Sequence, residues 1–441
     1  MFEHTTRVIL FIVTSCFALT SMASSDQLLS EREKLIVEQI KADLPQTLND
    51  LKQAVNINSG SMNFTGVKAV GQLMIQQLTD IGFTAKWLEG SQFNRAGHVV
   101  AQFDSHNPAA KKILMIGHLD TVFAQHDDFQ QYQMLSDTEA AGPGIVDMKG
   151  GNAIILAALS ALKKANLLEN LSIRVVLTGD EESSGRPLAL SKKAIIEGGQ
   201  WADIAIGFEN GDSNIKTAMV ARRGYVGWRL NVTGKPAHSS QIFREDIGYG
   251  AIYEAARILN TFREKLSGEE NLTFNPGMIA GGTRVDENHA QSTANAFGKT
   301  NVIAQKVVVR GDIRALSKAQ ETRAKAAMQE IVKHSLRHTN AELIFEAGYP
   351  PMSPTQGNRE LLTLYSKASQ DLGYGEVVAA NPRKAGAADI SFAAENVEMA
   401  LDGMGLMGRG GHTKDEVADL TSLQKNIEKA AILLHRIAQQ K

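Results

Sequence analysis

The sequence predicts an α/β fold, doubly wound about a mixed sheet and interrupted by an inserted α+β sandwich of βαββαβ order. Two observations predict it. Short apolar strand-like runs alternate with helical stretches up to about residue 220 and again after about residue 350. Between them the order becomes strand–helix–strand–strand–helix–strand, a compact sandwich of its own. A chain of 441 residues, 43% of them apolar, is long enough for both cores. The net charge of −2 supplies no basic field, which argues against nucleic acid as a partner.

Residues 27–55 carry helical spacing through Leu35, Ile36, Val37, Ile40 and Leu44, and Pro45 is expected to break or kink that helix. Val67–Ile81 reads as an amphipathic helix stopped by Gly82. His98–Phe103, Ile113–Ile116, Ile173–Thr178 and Ile204–Phe208 read as strands, and Asn152–Ala165 as an Ala- and Leu-rich helix. Past Arg222, residues 223–233 alternate Tyr225, Gly227, Arg229 and Asn231 against Val226, Trp228, Leu230 and Val232. A helix over 248–266, strands over 275–285 and 302–314, a helix over 318–336 and a strand over 341–346 complete the insertion. The expected division is 1–23, 24–220, 221–349 and 350–441.

The first segment reads as a signal peptide. Arg7 precedes the apolar run Val8–Val13, and Ser21, Met22 and Ala23 offer small residues for cleavage, so export to the periplasm or the medium is expected. A competing reading uses Val13-Thr14-Ser15-Cys16 as a lipoprotein box with Cys16 lipidated. Cys16 is the only cysteine, so a mature chain starting after Ala23 has no disulfide and no thiol ligand. Any metal must then use His, Asp and Glu, which suits hard or borderline ions. The sequons at Asn63, Asn231 and Asn271 are read as incidental.

Five scattered segments each carry a residue able to hold a divalent metal: His118 in MIGHLDTVF, Asp147 in GPGIVDMKGG, Glu182 in LTGDEESSG, Glu209 in IGFENGD and His412 in GRGGHTKDE. Asp120 and Glu181 lie one or two positions from such residues. His118, Glu181, Glu182 and Glu209 all follow the carboxyl ends of apolar strands, the edge at which open α/β sheets bind ligands. Singly, each has a plainer reading as a structural histidine or a helix cap. Together they are what two adjacent zinc ions require.

The segments G-H-L-D-T-V, G-P-G-x-x-D-M-K-G-G, D-E-E-S-S-G and G-H-T-K-D-E resemble the co-catalytic zinc hydrolases that include glutamate carboxypeptidase, aminoacylase, acetylornithine deacetylase and succinyl-diaminopimelate desuccinylase. The resemblance spans nearly the whole mature chain and is strongest to secreted glutamate carboxypeptidase. It implies that the insertion is a lid and dimerisation domain and that the protein is a homodimer. It implies two Zn2+ ions, with Co2+ or Mn2+ as substitutes. Asp147 would bridge them, His118 and Glu209 completing one site and Glu182 and His412 the other. Asp120 would accept a hydrogen bond from the His118 ring. Glu181 would be the general base, and the Asp147–Met148 peptide would be cis. His238 in GKPAHSS would reach a neighbouring subunit's site and steady the oxyanion. Asn301 would contact substrate, and Arg314 would pair with its free carboxylate. Gly403–Gly411 would let backbone amides approach substrate. The plainer readings are a turn histidine for His238, a strand-surface ion pair for Arg314 and a flexible loop for the glycines.

Two departures bear on specificity. Ala304 stands where the family has proline, and Ala385-Gly386-Ala387-Ala388-Asp389 replaces a segment usually richer in glycine and threonine. The expected activity is a zinc-dependent exopeptidase that hydrolyses the amide bond before a C-terminal residue such as glutamate, through metal-bound hydroxide with Glu181 as base. The alternatives are an N-acyl amino acid deacylase using the same site and a non-catalytic metal-dependent binding protein. Peptides or N-acyl amino acids are the expected substrates.

Overall fold

A computed structural model of the chain describes residues 28–288 and 292–440. The expected signal peptide and Cys16 lie outside the described residues.

The main sheet has six strands in the order Thr84–Glu89, Gly97–Phe103, Ser172–Thr178, Lys112–His118, Ile204–Gly207 and Met399–Leu401. Pairings among the last four are parallel and those at the first edge are antiparallel, so the sheet is mixed. Its strands bury both faces. Ile113 and Met115 face one core with Ile173, Val175 and Leu177, while Leu114 and Ile116 face a second with Val176 and Ala205. The first core is closed by the helices Glu31–Val55, Phe64–Ile81, Gly150–Lys164 and Thr421–Ile437, and the second by Lys193–Trp201 and Ser391–Ala394. Near-continuous apolar runs are what a doubly covered parallel sheet requires.

The second sheet is antiparallel throughout, in the order Thr273–Gly282, Lys306–Arg314, Val226–Gly234, Thr339–Phe345. Trp228, Leu230 and Val232 point to one face, where the helices Gly250–Leu266 and Lys318–Lys333 bury them. Arg229 and Arg310 on the other face pair with Glu287 of an added hairpin, Arg284–Asn288 with Thr293–Phe297. All of these elements lie in sequence between the fifth and sixth strands of the main sheet, so the sandwich is inserted.

Pro45 neither breaks nor ends its helix, which runs unbroken over Glu31–Val55. Pro45 and Lys41 are both exposed, so water can satisfy the carbonyl that the missing N–H leaves free, and the Thr47 hydroxyl donates to the Asp43 carbonyl at 3.3 Å one turn away. The expected strand over 275–285 stops at Gly282, and its remainder joins the hairpin. The edge strand Thr84–Glu89 and a small sheet of Gln133–Met134, Glu139–Ala141, Val417–Asp419 and Gly408–Arg409 were not expected from the sequence. That small sheet ties the chain before Asp147 to the hairpin whose tip carries His412.

Candidate metal centre

His118 ends its strand in register with Thr178, and Glu209 follows the neighbouring strand by two residues, so the parallel pairing delivers His118, Glu181, Glu182 and Glu209 to one sheet edge. Asp147 arrives on the loop before the helix Gly150–Lys164, through a cis Asp147–Met148 peptide as expected. His412 adopts a left-handed backbone, φ 63°, at the tip of its hairpin. Such conformations are uncommon outside glycine and cluster at functional sites.

The five expected donors form two groups that share Asp147. His118 Nε2 lies 3.0 Å from Asp147 Oδ1 and 3.4 Å from Glu209 Oε1. His412 Nε2 lies 3.0 Å from Asp147 Oδ2 and 3.3 Å from Glu182 Oε2. Within each group the donor atoms lie within 4.8 Å of one another. One carboxylate thus offers an oxygen to each half.

The His118 ring is oriented by its other nitrogen, which bonds to Asp120 through that residue's backbone carbonyl. Nδ1 meets the Asp120 backbone carbonyl at 2.9 Å, whereas the Asp120 carboxylate is 3.5 Å away. A carbonyl can only accept, so Nδ1 carries the hydrogen, and in the neutral ring the Nε2 lone pair faces the carboxylates. The Asp120 carboxylate is engaged elsewhere. It accepts from the Glu181 and Glu182 amides at 3.0 and 3.1 Å and from the Ser61 hydroxyl at 2.6 Å. The tight turn after the strand brings the Asp120 carbonyl back over the ring.

The electrostatics call for a cation. Burial, then the charge of Asp147, pushes Glu209 up to about 7. Burial, then the charge of Asp389, holds half-buried Glu181 well above the usual carboxylate range, and burial raises Glu182 as well. Glu182 Oε1 is buried without a partner. Burial opposes a proton on His118, yet the carboxylates around it prevail and hold it well above its ordinary value. Hydrogen bonds to Asp147 and Glu182 push His412 up to about 11. Protons on the two rings thus neutralise carboxylates that divalent ions would otherwise hold. Two imidazoles, a shared carboxylate and two more carboxylates, one with an orphaned oxygen, fit a pair of hard or borderline cations.

Several buried groups that the sequence reading did not assign hold these donors. Glu416, fully buried in the same GHTKDE segment, accepts from the backbone amides of Gly144, Val146 and Asp147 at 2.9, 2.8 and 3.1 Å. Asp402 accepts from the Glu209 amide at 3.3 Å and pairs with Arg222 at 2.7 Å. Lys192, wholly buried behind Glu181, reaches Asp180 and Asp389, each at 3.0 Å. The Tyr349 hydroxyl lies 3.1 Å from Asp389 and 3.2 Å from the Glu181 carbonyl. Glu416, Asp180 and Asp389 stood inside segments already singled out; Asp402, Arg222, Lys192 and Tyr349 carry no local signal. Gly405 serves the ligand loop, since a side chain there would meet the Phe208 carbonyl at 2.2 Å while its amide donates to Glu209 O at 2.9 Å.

The expected substrate contacts have partners of their own. His238 is exposed, its Nδ1 2.8 Å from the Ser240 hydroxyl, and the backbone carbonyl of exposed Asn301 accepts from Ser239 N at 2.9 Å. Arg314 Nε donates to Asp312 at 2.9 Å, and its guanidinium sits 5.1 Å from the centre of the Tyr225 ring. No hydrogen bond or ion pair among the described residues joins His238, Asn301 or Arg314 to the two donor groups.

A twofold covered α/β sheet with two conjoined cation sites at its carboxyl edge defines a metal-dependent hydrolase. The chain belongs to peptidase family M20/M25/M40, whose model matches residues 114–440. It is similar to carboxypeptidase G2 of Pseudomonas sp. (strain RS-16), with 24% identity covering 98% of this chain and 97% of that one. Its fold is similar to that of aminopeptidase PepT from Bacillus cereus (TM-score 0.70, 18% identity, 89% of this chain and 98% of that one). It is likewise similar to that of the YXEP protein of Bacillus subtilis, a dinuclear metal-binding peptidase of the M20 family (TM-score 0.62, 17% identity, 91% and 100%).

Two outcomes follow for the metal centre. Glu416→Gln puts an amide N–H2 among three backbone donors and should weaken metal retention about 10- to 100-fold, read by competition with a chelator; unchanged retention would show that the Asp147 loop is held otherwise. Because both histidines are held protonated in the ion-free fold, metal must displace those protons. Apparent affinity should therefore rise with pH through the neutral range, by about tenfold per unit for each proton displaced. Calorimetric titration at several pH values checks this, and a flat profile would contradict it.

Proposed function

We propose that the chain is a dizinc exopeptidase of carboxypeptidase type, which hydrolyses the amide bond before a C-terminal residue such as glutamate in a peptide or N-acyl amino acid. The observation that carries the reading is Glu181, a half-buried carboxylate next in sequence to the ligand Glu182, its amide fixed by Asp120 and its carbonyl near Tyr349. Similarity to carboxypeptidase G2 over almost the whole of both chains supports the carboxyl-terminal direction. The all-His, Asp and Glu donor set supports zinc, with Co2+ or Mn2+ as substitutes.

His118, Asp147 and Glu209 would hold one ion, and Asp147, Glu182 and His412 the other. When bound, such ions supply Lewis acidity toward the scissile carbonyl and lower the pKa of a bound water. Glu181 takes a proton from the attacking water and returns it to the leaving nitrogen; its raised proton affinity suits both halves of that task. Arg314 receives the free carboxylate of the substrate. His238, exposed on the insertion, steadies the oxyanion in the site of a second subunit.

That last role requires a homodimer through the inserted sandwich. Exposed Phe243, whose ring meets that of Tyr249 edge-on and that of Tyr253 at a tilt, supports one, with exposed Ile252 beside them in sequence. Phe243→Glu with Tyr253→Glu should shift the particle from dimer to monomer in sedimentation velocity; a wild-type monomer would sink this part of the reading. Glu181→Ala should lower kcat by about 10²- to 10⁴-fold while metal content, measured in parallel, stays at the wild-type level. Retained turnover would remove Glu181 from its role. A panel of dipeptides and N-acyl amino acids, scored for the released C-terminal residue against released acetate or succinate, separates the carboxypeptidase from a deacylase.

A further inference from the structure

The insertion leaves the main sheet at two consecutive arginines with opposite fates. Arg222 is neutralised, with Nε on Asp402 at 2.7 Å and Nη1 on the Gly386 carbonyl at 2.9 Å. Arg223 is not. It is 9% exposed, its Nη1 donates to the Thr273 hydroxyl at 2.7 Å and its Nε is buried without a partner. It makes no ion pair among the described residues. Thr273 is the register partner of Arg314, and the Gly224 amide donates to the Ala315 carbonyl at 2.8 Å, so Arg223 and Arg314 come together. Exposed Arg383 lies in the loop that also carries Gly386 and Asp389. Burial, then the charges of Arg314 and Arg383, lowers the pKa of Arg223, while Asp312 works weakly the other way. Arg223 and Arg314 thus share a single nearby carboxylate, Asp312. A buried cation without a counter-ion is costly unless a ligand completes it.

The cluster adjoins the catalytic edge. Tyr225, on which Arg314 stacks, bridges to Tyr349, and Tyr349 reaches the Glu181 carbonyl and Asp389. We infer that Arg223 and Arg314 together hold the two carboxylates of a dicarboxylic leaving amino acid, Arg314 the α-carboxylate and Arg223 the side-chain carboxylate, with Arg383 at the rim. This rests on the exopeptidase reading. A leaving residue with a neutral side chain would leave Arg223 buried and unpaired, so Arg223 sets specificity for an acidic C-terminal residue.

The zinc-loaded enzyme is assayed on N-acyl-glutamate and N-acyl-glutamine as wild type, Arg223→Gln and Arg223→Lys. The wild type should favour glutamate in kcat/KM by about 10- to 100-fold, the effect of one charge-assisted contact. Arg223→Gln should collapse that ratio through KM for glutamate, and Arg223→Lys should restore part of it. A wild-type ratio near one, or equal losses on both substrates, overturns the inference and leaves Arg223 a junction residue. Calorimetry with glutarate and butyrate reads the same site without turnover. Tighter glutarate binding that Arg223→Gln abolishes upholds the inference even where no amide is cleaved, in which case the exopeptidase reading falls alone. Equal binding of the two acids overturns the inference.

Discussion

Glu416 accepts three backbone amides from the loop that presents Asp147. That clamp fixes the backbone of the loop, so the Asp147 carboxylate can meet both His118 and His412 despite the nearby carboxylates of Glu182 and Glu209. The same device recurs twice. Asp120 holds the amides of Glu181 and Glu182, and Asp402 holds those of Glu209 and Gly403. Each of the three carboxylate donor segments is thus fixed by a wholly buried carboxylate from another part of the chain. Charge-assisted bonds to backbone N–H groups stabilise an ionised carboxylate and set loop geometry without occupying the donors themselves. The cost is a dense negative region, offset by Arg222 beside Asp402, by Lys192 between Asp180 and Asp389, and by whatever cations the centre holds.

Breaking such a buried pair from one side leaves an uncompensated charge, a loss of about 3–5 kcal/mol in comparable cases. Lys192 and Arg222 therefore belong to the stability of the fold as much as to the site. They lie at the carboxyl edge, where the apolar strands end and the chain can turn toward chemistry.

The main sheet and the inserted sandwich were legible because their signals are local. Ile173–Thr178 and Ile204–Gly207 are apolar runs of strand length, and Val226–Gly234 alternates with a period of two. The donors were legible because each follows such a strand or stands in a glycine-rich segment. What was not legible depends on distant partners. Glu416 looks like a solvated acid in its own segment, Lys192 like a surface lysine, and Arg222 and Arg223 like twins. Nothing local says that Asp120 gives its carbonyl to His118 and its carboxylate to two amides. The break expected at Pro45 does not occur for the opposite reason, since a strong local rule yields where the freed carbonyl faces water.

The small sheet that unites Glu139–Ala141 with Val417–Asp419 has a bearing on the order of events in the cell. The hairpin bearing His412 and its brace Glu416 is synthesised after every other donor segment. The helix that follows it, Thr421–Ile437, packs on Gly150–Lys164 directly behind the Asp147 loop. A nascent chain can complete the first four strands of the sheet long before either arrives, yet until they do it has one half of a cation trap and a loosely held shared acid. The paired centre therefore cannot close before residues 408–437 have been made.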